Sequence, residues 1–471
     1  MRQQVFANSC LVARPGQLCV NRAASLNLFY LLLFPFCVVS ALVPPVPETL
    51  FGVAEILLVL LLMALMVCAV VQPLPRSVGP WEHSARNAVL VLMAAWFISS
   101  INLCRDNELT LEGYVRGLTP FLGLVTFRAG QHFRSQRSAY MLLLAVTTAG
   151  LLAAVLGSIQ ALRNGVIDPL DMSSSIHFRS LLNSKSFDAL VLSLPVALIG
   201  GGLVGASGVS RLFVGLGVLG SLFSLLTLMR SGVVIATIVL MFEAMVILRA
   251  SLLRSRFWGR VPILLSLVVL LETASWIGGV GGVRIPSVFR AIGAIGERHQ
   301  RNLNQMDEGW QSYRVVEALA AWDRFTESPV FGHGLGSTIS VVLDGPFAPV
   351  DRQSMRYTHN FFSYMLYTGG IFGIVATVWF FQVALRVILR GGCLAARSLE
   401  PAVDMALVLL VLGMLVYIQF QSMFRSSTYF MMLGLVFGCL AARTSSLAPP
   451  PVSPSPLKPG SVFGTRRSAL C

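Results

Sequence analysis

Two adjacent polar residues, His359 and Asn360, open the otherwise apolar stretch YTHNFFSYMLYTGGIFG at residues 357–373. A histidine titrates near neutrality. It can serve as a general base, orient a substrate hydroxyl or phosphate, or sit hydrogen-bonded and inert at a helix end. Asn360 has the chemistry of a helix N-cap. Gly369, Gly370 and Gly373 read as small residues that let helices pack closely. A second histidine, His333, lies in GHGLGS at 332–337, where it is either a functional group or an ordinary loop residue. Three arginines complete the set: Arg230 in LLTLMRSGVVIA, Arg314 in SYRVVEALAAWDRF and Arg425 in QFQSMFRSSTYF. Each guanidinium can either snorkel to lipid headgroups and anchor a helix end, or grip phosphate in a bidentate manner.

The elements that must position these groups are membrane helices. The chain has 471 residues, 55% hydrophobic and only 12% charged, far from a soluble globular composition. Apolar runs predict twelve spans, at 27–43, 50–71, 87–101, 117–129, 139–161, 186–206, 211–229, 232–249, 259–278, 360–384, 404–421 and 427–443. The third and fourth runs are short for a span, and the fourth contains Pro120; it reads as broken or re-entrant, which is tolerated only under a protein cover. The formal net charge of +14 does not point to nucleic acid, because the basic residues sit in short loops between apolar runs. Of the eight cysteines only Cys104 falls in a loop placed outside, the rest in apolar runs and segments placed in the cytoplasm, so no disulfide framework is expected. No P-loop, dinucleotide fingerprint or ligand-like His/Cys spacing stands in the chain, so no cofactor and no metal is expected.

Lys and Arg concentrate in alternate loops, which puts both termini in the cytoplasm. Residues 1–26 are then a cytoplasmic segment, 27–278 carry the first nine helices and 360–443 the last three. The tail, 444–471, is Pro- and Ser-rich and is expected to be a disordered cytoplasmic extension. The remaining segment, 279–359, is a large outer loop, and a loop of that length usually has a task. Within it Val315, Leu319, Trp322 and Phe325 recur at helical spacing, with Arg314, Glu317, Asp323 and Arg324 on the polar side. The pattern predicts an amphipathic helix resting on the membrane domain or in the interface, ending at Ser328-Pro329. This topology brings His359, Asn360, Arg230, Arg314 and Arg425 to one face of the membrane.

His359 and Asn360, then nine residues, then Gly370 and Gly373 resemble the signature of the O-antigen ligase and polymerase family of bacterial envelope glycosyltransferases. The segment with Arg314, Trp322, Pro329, Gly332, Gly334 and Gly336 is similar to the family's run from an arginine to a glycine-rich loop. Arg230, Ser231 and Gly232 resemble its Ser/Arg-rich turn. The resemblance implies an all-α polytopic fold of about twelve helices, similar to the C-type membrane glycosyltransferases, with one large, partly helical periplasmic loop. It also implies a metal-independent, inverting enzyme of the inner membrane with its active face in the periplasm. The donor would be an oligosaccharide on undecaprenyl diphosphate, and the surrounding membrane lipid a second partner. An acceptor hydroxyl would attack the anomeric carbon and the lipid diphosphate would leave. Without a metal, preorganised cations would stabilise that diphosphate: Arg230 and Arg314 first, then Arg425. Asn360 and His333 would join them in substrate binding. His359 would be the base or the acceptor-orienting group, kept neutral by its apolar surroundings.

Three functions follow. The first is a polymerase joining lipid-linked repeat units of an exopolysaccharide or O-antigen, with chain-length or export proteins as partners of the tail. The second is a ligase passing finished glycan to lipid A–core or to a protein. The third, a polysaccharide transporter or flippase, is disfavoured by the lack of two similar halves.

Overall fold

In the computed structural model of the chain, the described residues are 32, 35, 60, 61, 64, 79–103, 121–163, 185–205, 207–226, 230–249, 257, 258, 262, 269, 293, 300, 313–334, 337–345, 348–355, 358, 360–398, 400–419 and 427–446. They form α1 (Pro80–Leu103), α2 (Phe121–Gly130), α3 (Gln136–Arg163), α4 (Lys185–Val204), α5 (Gly208–Leu226) and α6 (Arg230–Arg249). There follow α7 (Tyr313–Glu327), β1 (Ile339–Gly345), β2 (Ala348–Met355), α8 (Phe361–Ala395), α9 (Pro401–Tyr417) and α10 (Ser427–Ser446). The fold is mostly helical, and Phe361–Ala395 and Tyr429–Ser446 are long and apolar enough to cross a membrane. The expected spans at 27–43, 50–71 and 259–278, the N-terminal segment and the tail beyond Ser446 lie outside the described residues, apart from isolated positions.

Apart from α7, each helix follows from an apolar run, with ends that differ by several residues. The third run extends into the 24-residue α1, whose first turns carry Glu82, His83 and Arg86. The fourth run is short, as read from Pro120: α2 has 10 residues. It is covered along its length by α10. Gly434 and Gly438 are set against the backbone carbonyls of Gly123 and Phe127, so closely that a Cβ would overlap them. This is close helix packing through small residues. Helix α9 is hydrophobic on all sides, as a fully enclosed helix should be, and it is buried along almost its entire length between its neighbours.

The largest departure from expectation is α8. The run at 360–384 reads as one membrane helix, yet the backbone breaks at Gly370, with φ 60° and ψ −159°. Helix α8 folds back there. The rings of Phe361 and Phe381 lie 5.8 Å apart, and those of Phe362 and Phe381 6.1 Å. Twenty residues of straight helix would separate the first pair by about 30 Å. A Cβ on Gly373 would lie 3.5 Å from the Met365 carbonyl oxygen, so the two arms, 361–369 and 371–395, run side by side. The second arm alone is long enough to span a bilayer.

The segment 279–359, expected to be a partly helical outer loop, also contains strands. β1 and β2 pair antiparallel, with Ile339 opposite Met355 and Gly345 opposite Ala348. The all-α reading is amended here; VVLDGP, β-branched residues followed by a turn signal, is the clue in the sequence.

At the end of the bundle opposite the α8 apex, buried charges tie four elements together. Arg134, in the turn before α3, donates to both Glu82 carboxylate oxygens at 2.6 and 2.7 Å. Arg443 of α10 donates through Nε to Asp404 of α9 and through Nη1 to the Arg134 carbonyl at 3.0 Å. The Glu82 amide donates to Ser445 Oγ at 2.8 Å. Arg443 is therefore a buried structural residue. Removing one partner of such a pair costs about 3–5 kcal/mol, whereas replacing both by apolar groups is often neutral. Asp404→Ala is expected to lower the melting temperature in detergent sharply, and Asp404→Leu with Arg443→Leu to recover most of the loss. Equal destabilisation by the single and double variants would contradict a coupled pair.

Candidate active site

Helix α7 ends at Glu327, one residue before the expected stop, and the chain enters a tight loop through Pro329 to Gly334. That loop is inserted at the break in α8. The His333 and Gly334 amides donate to the carbonyls of Tyr367 and Thr368, both at 2.8 Å. In return the Ile371 and Phe372 amides donate to the carbonyls of Pro329 and Val330, at 2.9 and 3.2 Å. Four backbone groups freed by the break are thereby satisfied. Each would cost several kcal/mol if left unpaired in an apolar environment.

The glycines are what allow it. Gly332 and Gly334 have φ of 66° and 89°. A Cβ on Gly370 would meet the Val330 and Pro329 carbonyl oxygens and the Gly332 amide at 2.6 to 2.7 Å. Gly370 is thus the backbone break itself and not a packing residue. Gly373, where a Cβ would meet the flexible Met365 side chain at 3.3 Å, fits the packing role.

His333 is buried in this loop, and its Nε2 lies 2.7 Å from the Arg324 carbonyl. A carbonyl only accepts, so Nε2 carries the proton and donates. The Glu327 carboxylate is 3.6 Å from the same nitrogen. These contacts brace the loop against the end of α7.

Asn360 caps the first arm of α8, as its residue type suggests. Its Oδ1 accepts from the amides of Phe362 and Ser363 at 2.8 and 3.2 Å. Thr358 is buried and donates through Oγ1 to the Asn360 carbonyl at 2.7 Å, bridging position 359. His359 itself lies outside the described residues, but both of its neighbours are held. The place of Asn360 differs from the expected one. The sequence puts His359 and Asn360 at the outer mouth of a straight helix; the fold-back puts Asn360 beside Phe381, about 16 Å along the second arm from the apex. Asn360 remains exposed there.

Next to it lies a partly open apolar cavity of about 40 Å³, lined by Trp96, Phe127, Phe361, Phe381, Phe430 and Phe437 among others. Both arms of α8 therefore line it. Trp96 is fully buried, donates through Nε1 to Met365 Sδ at 2.8 Å and meets Phe430 edge-on at 6.0 Å.

The arginines are placed by their elements. Arg230 is the first residue of α6. Phe242 and Val246, further along α6, meet Gly392 in the lower part of α8, so Arg230 is at the apex end of the bundle. Arg314 is the second residue of α7, which packs on α8 and β1. Arg425 lies outside the described residues, two positions before α10 begins at Ser427.

The described residues form a mostly helical bundle with two candidate membrane spans and a broken, folded-back helix. Residues 216–378, about a third of the chain, match the family model described as O-antigen ligase, which supports a place in that family. The match runs from α5 into the second arm of α8. It takes in Arg230, Arg314, His333, His359, Asn360, Gly370 and Gly373, and leaves out Arg425. The family comprises integral inner-membrane, glycosyltransferase-like enzymes, ligases and polymerases that act on lipid-linked glycans in O-antigen biosynthesis. A search of curated proteins finds no match to the chain.

Gly370→Ala forces a side chain into a backbone region reserved for glycine, at a strain of about 1–3 kcal/mol, and also into three loop backbone atoms. It is expected to lower thermal stability and yield of monodisperse protein in detergent by far more than Gly373→Ala. Equal effects of the two variants would contradict the distinction.

Proposed function

We propose that the chain is a polymerase that joins undecaprenyl-diphosphate-linked oligosaccharide repeat units into exopolysaccharide or O-antigen at the periplasmic face of the inner membrane. The observation that carries this reading is the position of Asn360, beside His359 in the sequence. It is exposed at the free end of a folded-back arm whose next residue, Phe361, walls the apolar cavity. A reaction between a lipid-linked donor and a sugar hydroxyl needs that pairing of an apolar slot with an accessible polar end.

In this reading the isoprenoid chain nearest the diphosphate enters the cavity, and the glycan lies outside it. The acceptor hydroxyl oxygen attacks the anomeric carbon, and the bond from that carbon to the diphosphate oxygen breaks. The hydroxyl proton passes to His359, and the lipid diphosphate leaves. Arg230 and Arg314, at the starts of α6 and α7, hold the diphosphate charge with Arg425. Asn360 holds the arm and offers its remaining amide N–H groups to the glycan. His333 acts through the loop as a positioning residue. No metal takes part.

A ligase that passes the finished glycan to lipid A–core uses the same chemistry with a different acceptor, and the family description supports it as the second reading. A deletion strain separates the two. Under the polymerase reading it retains single repeat units and loses long polymer. Accumulation of long polymer on the lipid carrier would establish the ligase instead.

Loss of a general base costs about 10²–10⁴-fold in rate, and His359→Gln is expected to fall in that range at unchanged expression; full activity would end the base role. Arg230→Ala is expected to lose about 10²–10³-fold, the cost of one charge-stabilising donor. Val89→Phe, which narrows the cavity, is expected to raise KM for a long-chain isoprenoid donor and to spare a short-chain one. An equal effect on both donors would remove the cavity from the substrate path.

A further inference from the structure

Helix α7 is turned the opposite way from its apolar pattern. Its inward side buries Glu317 and Ala321, while Val315, Leu319 and Trp322 are 47%, 53% and 54% exposed. Of the four apolar residues at helical spacing, only Phe325 packs toward the core. The ridge continues into the loop, where Val330 and Phe331 are 55% and 42% exposed. A water-facing helix that hides a carboxylate and shows a tryptophan contradicts ordinary burial.

The ridge does not end there. Phe331 meets Phe372 with ring centroids 6.1 Å apart, and the Phe372 amide is bonded to Val330. Ile371 and Phe372, then Val375 and Val378, are likewise exposed along the second arm of α8. That arm, part of the apolar helix Phe361–Ala395, is itself long enough to span a bilayer, and in this proposal its exposed apolar residues face lipid. The α7 ridge is contiguous with that surface. Polar Asp323, Thr326 and Glu327 lie beside it on α7, and all three are exposed. An apolar ridge edged by charge, with tryptophan in it, has the composition of a helix lying in a membrane interface.

We propose that α7 and the loop after it form a membrane-seated ridge whose occupant is bilayer hydrocarbon, in the leaflet around the α8 apex. Val315, Leu319, Trp322, Val330 and Phe331 enter the boundary between headgroups and acyl chains. The seat fixes the loop, and through its four backbone hydrogen bonds the break at Gly370, at a set depth in the bilayer. This inference stands on the exposure and continuity of the ridge and is independent of the catalytic reading.

The test is fluorescence of the full-length chain in lipid nanodiscs, wild type against Trp322→Phe, so that the difference isolates Trp322. The expected result is that lipid brominated near the carboxyl end of its acyl chains removes more than half of the Trp322 emission. Aqueous iodide should remove little of it. Quenching by iodide and not by brominated lipid would overturn the proposal, because the ridge would then face water. Protection from both quenchers would also overturn it, because protein, such as a second copy of the chain, would then cover the ridge.

Discussion

The exchange of four backbone hydrogen bonds between residues 329–334 and the broken helix at Gly370 is the interaction on which the rest depends. A membrane helix cannot simply stop, because the amides and carbonyls released at a break have no water to turn to. Here the loop after α7 supplies both donors and acceptors, in the register the break requires. Gly332 and Gly370 make the approach possible, since neither position has room for a Cβ. Once the break is held, the first arm of α8 lies back along the second, Phe361 reaches Phe381, and the cavity acquires two of its walls.

The opposite end of the bundle is held by different means. Glu82, Arg134, Asp404 and Arg443 form a chain of contacts from α1 through the turn before α3 to α9 and α10. Buried ion pairs contribute less net stability than their contacts suggest, but they penalise any other arrangement of the same helices. The molecule therefore has a polar clasp at one end and a backbone clasp at the other, with the apolar cavity between. Function in this account needs that rigidity: a lipid-linked donor must be held while a second sugar approaches, and misplacement of about 1 Å can be costly.

Much of the fold was legible in the residues. Apolar runs located the helices, Asn360 announced its cap, and the spacing from Val315 to Phe325 announced α7. The matched segment, 216–378, contains the motifs that carried the resemblance, apart from Arg425. What was not legible has a common cause. Hydropathy measures composition and is blind to direction, so a reversal at Gly369-Gly370 looks like continued helix. The same blindness left α7 with two expected seats, on the membrane domain or in the interface; its apolar side faces outward. His333 could be recognised as unusual, but not as a brace, because its partner is the Arg324 carbonyl, and backbone groups are invisible to motif reading. The β-hairpin was hinted at by VVLDGP and passed over in favour of the helical pattern beside it.

The central claim is that α8 folds back at Gly370 and carries the first turn of its short arm, which Asn360 caps, to Phe381. Its most direct test is a disulfide between cysteines replacing Phe362 and Phe381, sought in intact membranes under mild oxidation and detected as a linked peptide by mass spectrometry. With the rings 6.1 Å apart in the folded-back arms, the account predicts that the linked peptide forms readily, and that Gly370→Ala suppresses it. Absence of the link in well-folded protein whose two cysteines both react with maleimide would contradict the account, because a straight helix would hold them nearly 30 Å apart.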